Sequence, residues 1–319
     1  MGYGEYSHAA HVALTRSRAR SSPARGPSRA HPLLQPHGVV RESRDSDEHP
    51  DSLGVVFALD VTGSMGSVPH TLATRTLPDF MRVLLDAGVR DPQLCFMGIG
   101  HAGHDRAPLQ VGQFESSEAL IDLWLDRIWI EGGGVGDHEA YELAMYFAAH
   151  KIVLDSVERR GRRGFLFLVG DVAPNPAASH TQIRRLLGDE LSGDVPIRAL
   201  IESLQRTFEP FFLMAPSAPR RIARAWRDLL GDRVVSLQHA DDTAHVAAGL
   251  IALLEGSVSS IGGYVDRLEA AGLRRRQRAR IAQALLPFAA SIERDGAPIG
   301  DRRGTDLPRG DRPSGLDRG

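Results

Sequence analysis

The stretch "VVFALDVTGSMG", residues 55–66, decides how this chain is read. Five apolar residues run without a break into Asp60. Thr62 and Ser64 follow at alternate positions, and Gly63 and Gly66 permit a tight turn with close backbone approach. A short, continuously apolar run bounded by turn residues is the pattern of a strand buried on both faces. Similar runs recur at residues 93–99, 109–114, 164–169, 210–214 and 234–237, with the first spanning 54–59. Between them lie helical patterns. Ala140, Leu143, Ala144, Phe147 and Ala148 fall on one helix face, and Leu120, Leu123, Trp124 and Ile128 on another. Strands alternating with helices predict a doubly wound α/β fold, a mostly parallel sheet with helices on both faces. The run at 109–114 follows its predecessor after a short loop, which predicts an antiparallel edge strand. In such folds ligands bind beyond the carboxyl ends of the strands.

Composition limits the function. Of 319 residues 42% are hydrophobic and the formal net charge is -2, so nothing favours nucleic acid or an anionic membrane. Lys151 is the only lysine; arginine supplies the remaining positive charge. The single cysteine, Cys95, excludes a disulfide framework and a multi-thiolate zinc site. No run approaches the roughly 20 apolar residues that span a bilayer, and a cytoplasmic location is expected. Residues 1–52 and 295–319 are rich in Arg, Ser, Pro and Gly and read as disordered tails. The Arg309-Gly310-Asp311 tripeptide in the second is read as coincidental. A main domain is expected over 53–256, followed by a helical appendage over 257–294.

Three segments carry chemistry. Asp60, Thr62 and Ser64 surround one strand-to-helix turn. "EGGGVGDHE", residues 131–139, delivers Asp137 and Glu139 at a helix start, behind three glycines. "FLFLVGDVAPNP", residues 165–176, ends a buried strand at Asp171. A doubly wound sheet brings all three to the same edge. Their donors are hard oxygens, which suit Mg²⁺, Mn²⁺ or Ca²⁺ rather than zinc.

"ALDVTGSMG", "GGGVGD" and "LVGD", in this order, resemble a von Willebrand factor type A domain with its metal-ion-dependent adhesion site, over residues 53–256. The resemblance implies a Rossmann-like fold in which Asp60, Thr62 and Ser64 hold a divalent cation, the hydroxyls binding directly and Asp60 and Asp171 binding it or holding its waters. Thr62 in place of the family's serine keeps the hydroxyl. The family's threonine from a glycine-containing loop is missing; Asp137 fills its place best, with Glu139 second. A third carboxylate would lower the metal's electrophilicity and compete with the acidic ligand that family members accept from a partner. The implied function is a non-enzymatic, metal-dependent protein-interaction module, with a partner's Asp or Glu at an open position on the metal. More narrowly, the chain resembles stand-alone bacterial intracellular members that act as scaffolds beside ATPases, kinases or stress systems.

Other readings use the same residues. Asp60 and Ser64 could simply cap the first helix. A haloacid-dehalogenase-like phosphatase would use Asp60 as nucleophile with Mg²⁺, Asp171, Asn175 and Lys151, although Thr62 stands where its second aspartate belongs. A serine hydrolase would use Ser64, Asp171 and His239. His101, His104 and Asp105 in "HAGHD" form either a transition-metal site or an exposed loop. Trp124 and Trp129 read as core. Arg159, Arg160, Arg162 and Arg163 read as a solvated turn open to an acidic partner, and the run from Arg274 to Arg280 as a helical cluster open to nucleic acid or an acidic protein surface.

Overall fold

In the computed structural model, which describes residues 29–133 and 138–294, six strands form one sheet at the expected places. They are β1 (Leu53–Asp60), β2 (Pro92–Ile99), β3 (Leu109–Val111), β4 (Gly164–Gly170), β5 (Phe208–Met214) and β6 (Val234–Ser236). Their order is β6-β5-β4-β1-β2-β3, all parallel except β3, which pairs antiparallel with β2 at the edge. The central strands are buried on both faces, which is why they read as unbroken apolar runs.

Alternate residues feed two cores. Val55, Phe57 and Leu59 join Phe165, Phe167, Phe211 and Leu213 on one face; Val56 and Ala58 join Cys95, Met97, Leu166 and Phe212 on the other. Phe57, Phe167 and Phe211 stack across three strands at centroid spacings of 5.0 and 5.5 Å. The longer helices are α1 (Phe80–Asp86), α2 (Glu118–Arg127), α3 (Tyr141–Lys151), α4 (His180–Leu187), α5 (Ile197–Leu204), α6 (Arg220–Leu230), α7 (Thr243–Leu254), α8 (Ile261–Ala270) and α9 (Arg275–Arg294). Helices α1, α2, α7, α8 and α9 cover the first face, and α3, α4, α5 and α6 the second. Helix α3 is buried all round from Tyr141 to Ala148, not along one stripe, with α5 packed against it. Among the described residues no helix is long and apolar enough to cross a membrane.

The packed chain starts earlier and ends later than its composition suggests. Expectations for residues 1–28 and 295–319 lie outside the described residues, but residues 29–52 are folded onto the domain. Leu34 is buried in the core, and Arg41–Ser43 pairs in parallel with Ile152–Leu154. Ser43 Oγ donates to Gln93 Oε1 at 2.8 Å. Arg44 pairs with Asp155 and Glu158, and Arg160 with Asp45, whose carboxyl is held down at about 2, chiefly by the Arg160 hydrogen bonds. These polar and ionic contacts, together with the buried Leu34, hold the segment. They also account for the first arginine cluster: Arg162 pairs with Glu255 and Arg163 with Glu209. Residues 257–294 are likewise no appendage. Helices α8 and α9 insert Tyr264, Leu268, Ile281, Leu285 and Phe288 into the first core, with Phe288 edge-on to Phe211 at 5.1 Å.

His245 reports on that docking. It lies on α7, its carbonyl accepts from Tyr264 Oη at 2.6 Å, and its Nδ1 is buried without a hydrogen-bond partner. Burial first, and Arg82 second, push its pKa down to about 4, against opposing pulls from Asp242, Asp79 and Asp86. The folded state therefore resists protonation. Its contribution to stability is whole above the unfolded pKa of about 6.5 and is lost as pH falls toward 4. Urea unfolding of wild type and His245→Gln at pH 7 and pH 4.5 should show the wild type losing about 2–3 kcal/mol more than the variant. Parallel pH profiles would contradict this.

Candidate metal centre

The strand order reverses between β1 and β4: from β1 the chain winds outward one way through β2 and β3, then returns to wind the other way through β4, β5 and β6. At such a switch point the loops above adjacent strands diverge and leave a crevice. Asp60 is the last residue of β1, and Asp171 follows the last residue of β4. Leu59 pairs with Val169, which puts the two acids about 5 Å apart in strand spacing.

The turn after β1 is built around Asp60. Its Oδ1 accepts from Thr62 N at 3.0 Å and Thr62 Oγ1 at 2.6 Å, and its Oδ2 accepts from Tyr141 Oη at 2.7 Å. Thr62 Oγ1 lies 3.2 Å from Ser64 Oγ, which donates to Asp171 Oδ1 at 3.0 Å. The hydroxyls thus bridge the two acids, and Ser64 does not cap a helix. The glycine loop lies directly against this turn: Gly63 N donates to Gly133 O at 2.8 Å, and Gly132 N to Val61 O at 3.2 Å. A Cβ on Gly63 would sit 2.9 Å from Gly132 O, and one on Gly133 would sit 2.2 Å from Asp105 Oδ1. Close approach is therefore what the glycines supply.

The electrostatics are one-sided. Asp60 has no exposed surface, and burial pushes its pKa up to about 6, opposed by the Thr62 and Tyr141 hydrogen bonds and aided by Asp171. Glu139, 1% exposed, is pushed to about 7 by burial and then by Asp60, with Asp171 and Asp105 adding and a Thr62 hydrogen bond opposing. Burial also raises Asp171. Among the described residues none of the three acids forms an ion pair. Glu139 Oε2 is buried and has no hydrogen-bond partner among the described residues. Ser64 is exposed, so the cluster opens to solvent there.

These features fit a hard divalent cation. Three crowded carboxylates lack a counter-charge, two hydroxyls stand among them, and one buried carboxylate oxygen is unpartnered. No three His, Cys, Asp or Glu groups among the described residues form a ready-made cage; the hydroxyls intervene between the carboxylates. The structure brings together Asp60, Thr62, Ser64, Asp171 and Glu139. Asp137 lies outside the described residues.

Tyr141 is the residue that sequence reading missed. It opens α3 two positions after Glu139 and is wholly buried against Phe212 and Trp226. The signal was the glycine of "LVGD": a Cβ on Gly170 would fall 1.7 Å from Tyr141 Oη, so only glycine lets the tyrosine reach Asp60. Trp226 stacks on Phe212 at 4.1 Å and donates from Nε1 to Val172 O at 2.9 Å, fixing the chain beside Asp171.

The rival constellations are incomplete among the described residues. Lys151 pairs with Asp189 at the far end of α3, ten residues or about 15 Å along the helix from Tyr141. Asn175 stands beside the cluster, where its amide donates to Glu142 Oε2 at 3.0 Å and to Glu139 O at 3.3 Å. Among the described residues His239 makes no side-chain hydrogen bond to Ser64 or Asp171. The His101 and His104 rings pack against each other at 4.6 Å, and Asp105 accepts from His101 N at 2.7 Å, ordering the loop against Gly133.

No family model and no curated protein matches the chain. Among solved structures it is similar to the pilus adhesin SpaC from Lactobacillus rhamnosus GG, at 11% identity and a TM-score of 0.44, over 68% of this chain and 32% of that one. The chain thus spans about a third of the adhesin's length. It is also similar to an aerotolerance-related membrane protein from Bacteroides fragilis NCTC 9343, with multiple mutations to serines, at 12% identity and a TM-score of 0.36, over 63% of this chain and 98% of that one.

Asp60→Asn separates a cation ligand from a turn-holding residue. The amide keeps acceptor and donor for Thr62 and Tyr141 but carries no charge to desolvate. With chelator at pH 8, chemical denaturation of the variant should give an unfolding free energy about 1–3 kcal/mol above wild type. An equal or lower value would make Asp60 a structural cap.

Proposed function

We propose that the protein is a non-catalytic, divalent-cation-dependent protein-binding module with a von Willebrand A-like domain. The observation that carries this is the buried, counter-charge-free cluster of Asp60, Glu139 and Asp171, interleaved with Thr62 and Ser64 at the switch point of the sheet. Mg²⁺ or Mn²⁺ would be held by Thr62 and Ser64 together with Asp60, Asp171 and Glu139. The ion would supply the positive charge that this edge lacks and join three segments distant in sequence. Glu139 supports a role as the acid standing where the resemblance implies a threonine.

That third carboxylate shapes the module. Three carboxylates outweigh the two charges of the ion, so a partner's Asp or Glu has to displace or share with Glu139 to reach it. The cation then serves first to set the rim formed by the Asp60 turn, the glycine loop and the turn after Asp171, and the partner reads that rim. A scaffold role beside an ATPase or kinase system is compatible with this chemistry, and so is a cytoplasmic setting.

Calorimetric titration of Mg²⁺ and Mn²⁺ into wild type and Asp60→Ala, repeated with beryllofluoride, tests the reading. Wild type should bind one ion and show a thermal midpoint that rises with cation concentration, as preferential binding to the folded state requires. Asp60→Ala should do neither, and beryllofluoride should change nothing. Absence of binding by wild type would overturn the proposal. Strong metal-dependent beryllofluoride binding would assign aspartyl-phosphate chemistry to Asp60 instead.

A further inference from the structure

The carboxyl-end crevice does not stop at Asp171. Ala215 N donates to Gly170 O at 2.9 Å and Leu237 N to Met214 O at 3.0 Å, so the edge continues from β4 across β5 to β6. There it deepens into a cleft of roughly 320 Å³ with an apolar floor of Met214, Ala215 and Leu237 and with Arg220 and Arg227 of α6 along its wall. The cleft lies over β5 and β6, about one to two strand spacings or roughly 5–10 Å from β4. Its position is fixed, because Trp226 anchors α6 to Val172 and packs on Tyr141.

Helix α6 lines this cleft with a row of arginines. Many other arginines are matched to acids: Arg44 to Asp155, Arg160 to Asp45, Arg162 to Glu255, Arg163 to Glu209, Arg278 to Glu269 and Arg280 to Asp242. On α6 Arg220, Arg221, Arg224 and Arg227 are all exposed, and among the described residues none of them forms an ion pair. Arg220, Arg224 and Arg227 follow one another at helical spacing and share a face. A row of like charges repels itself, and a partner of opposite charge would relieve that repulsion.

We propose that this cleft is a carboxylate subsite for an acidic segment of a partner protein. An Asp or Glu side chain lays its aliphatic stem on the Met214, Ala215 and Leu237 floor and places its carboxylate between Arg220 and Arg227, each able to donate in a planar, two-pronged fashion. Flanking acids pair with Arg224 and Arg221. The same segment continues along the strand ends to the Asp60–Asp171 rim. This deepens the proposed function and explains how an edge bearing three carboxylates recognises an acidic partner: the positive charge comes from α6. Only the contact at the rim rests on cation binding; the subsite itself does not.

The test uses the full chain and a fluorescently labelled peptide of alternating Glu and Ala, followed by anisotropy at low and high salt. Arg220→Glu/Arg227→Glu should weaken binding at least about tenfold, since two attractions become repulsions. The matched reversal Arg275→Glu/Arg276→Glu, at exposed arginines of α9, should leave binding unchanged. Mg²⁺ affinity by calorimetry should be the same in wild type and in the α6 variant. Equal weakening by both reversals, or by neither, would overturn the subsite. So would tighter binding, through the same arginines, of a single-stranded oligonucleotide of equal charge. If wild type binds no Mg²⁺ while the α6 reversal still abolishes peptide binding, the cation reading fails and the subsite stands.

Discussion

Asp60 is a carboxylate without exposed surface at the end of a strand that is buried on both faces. It cannot turn out to water, and among the described residues no arginine or lysine pairs with it. Thr62 and Tyr141 give it three hydrogen bonds. Much of the local architecture follows from that requirement. Tyr141 must begin a helix within reach of β1, Gly170 must lack a side chain so that the tyrosine can pass, and Phe212 and Trp226 must pack around its ring. The hydrogen bonds do not fully offset the burial. A carboxyl pushed to about 6 corresponds to roughly 3 kcal/mol held against folding at neutral pH. Glu139, with one oxygen unpartnered, adds to the imbalance. A bound cation would reverse its sign.

The fold can carry this strain because the sheet beneath is over-determined. The stacked phenylalanines of β1, β4 and β5 fix the first face, and α3, buried from Tyr141 to Ala148, fixes the second. Segments at both ends of the described chain add to this. Residues 29–52 pair with the strand that follows α3, and α8 and α9 close the opposite core. The rim is less constrained. It consists of turns and glycines whose mutual contacts are a few backbone hydrogen bonds and the hydroxyl bridge from Asp60 to Asp171. A ligand can order a region of that kind.

What could be read from the sequence divides along physical lines. The central strands were legible because burial on both faces leaves no polar position to interrupt them, and the antiparallel β3 followed from a loop too short for a crossover. The meeting of Asp60, Thr62, Ser64 and Asp171 at one edge was legible because all four stand at or just beyond the ends of parallel strands. Tyr141 was not: a tyrosine among apolar helix residues looks like core until a glycine elsewhere shows where its hydroxyl goes. The ordering of residues 29–52 was hidden because it depends on partners such as Asp155 and Arg160, more than a hundred residues away. Periodicity likewise shows that α8 and α9 are helices but not which face they bury. The arginine clusters look alike in sequence, and only their partners distinguish the matched ones from the row on α6.

One cation is proposed to join the Asp60 turn, the glycine loop with Glu139, and the turn after Asp171. Hydrogen–deuterium exchange of wild type and Asp60→Asn, with and without Mg²⁺, reads that directly. Protection should rise together in wild type at residues 61–66, 131–133, 139–141 and 171–175, and in none of them in Asp60→Asn. Protection confined to one segment, or equal in both proteins, would contradict a shared ion at the centre of the site.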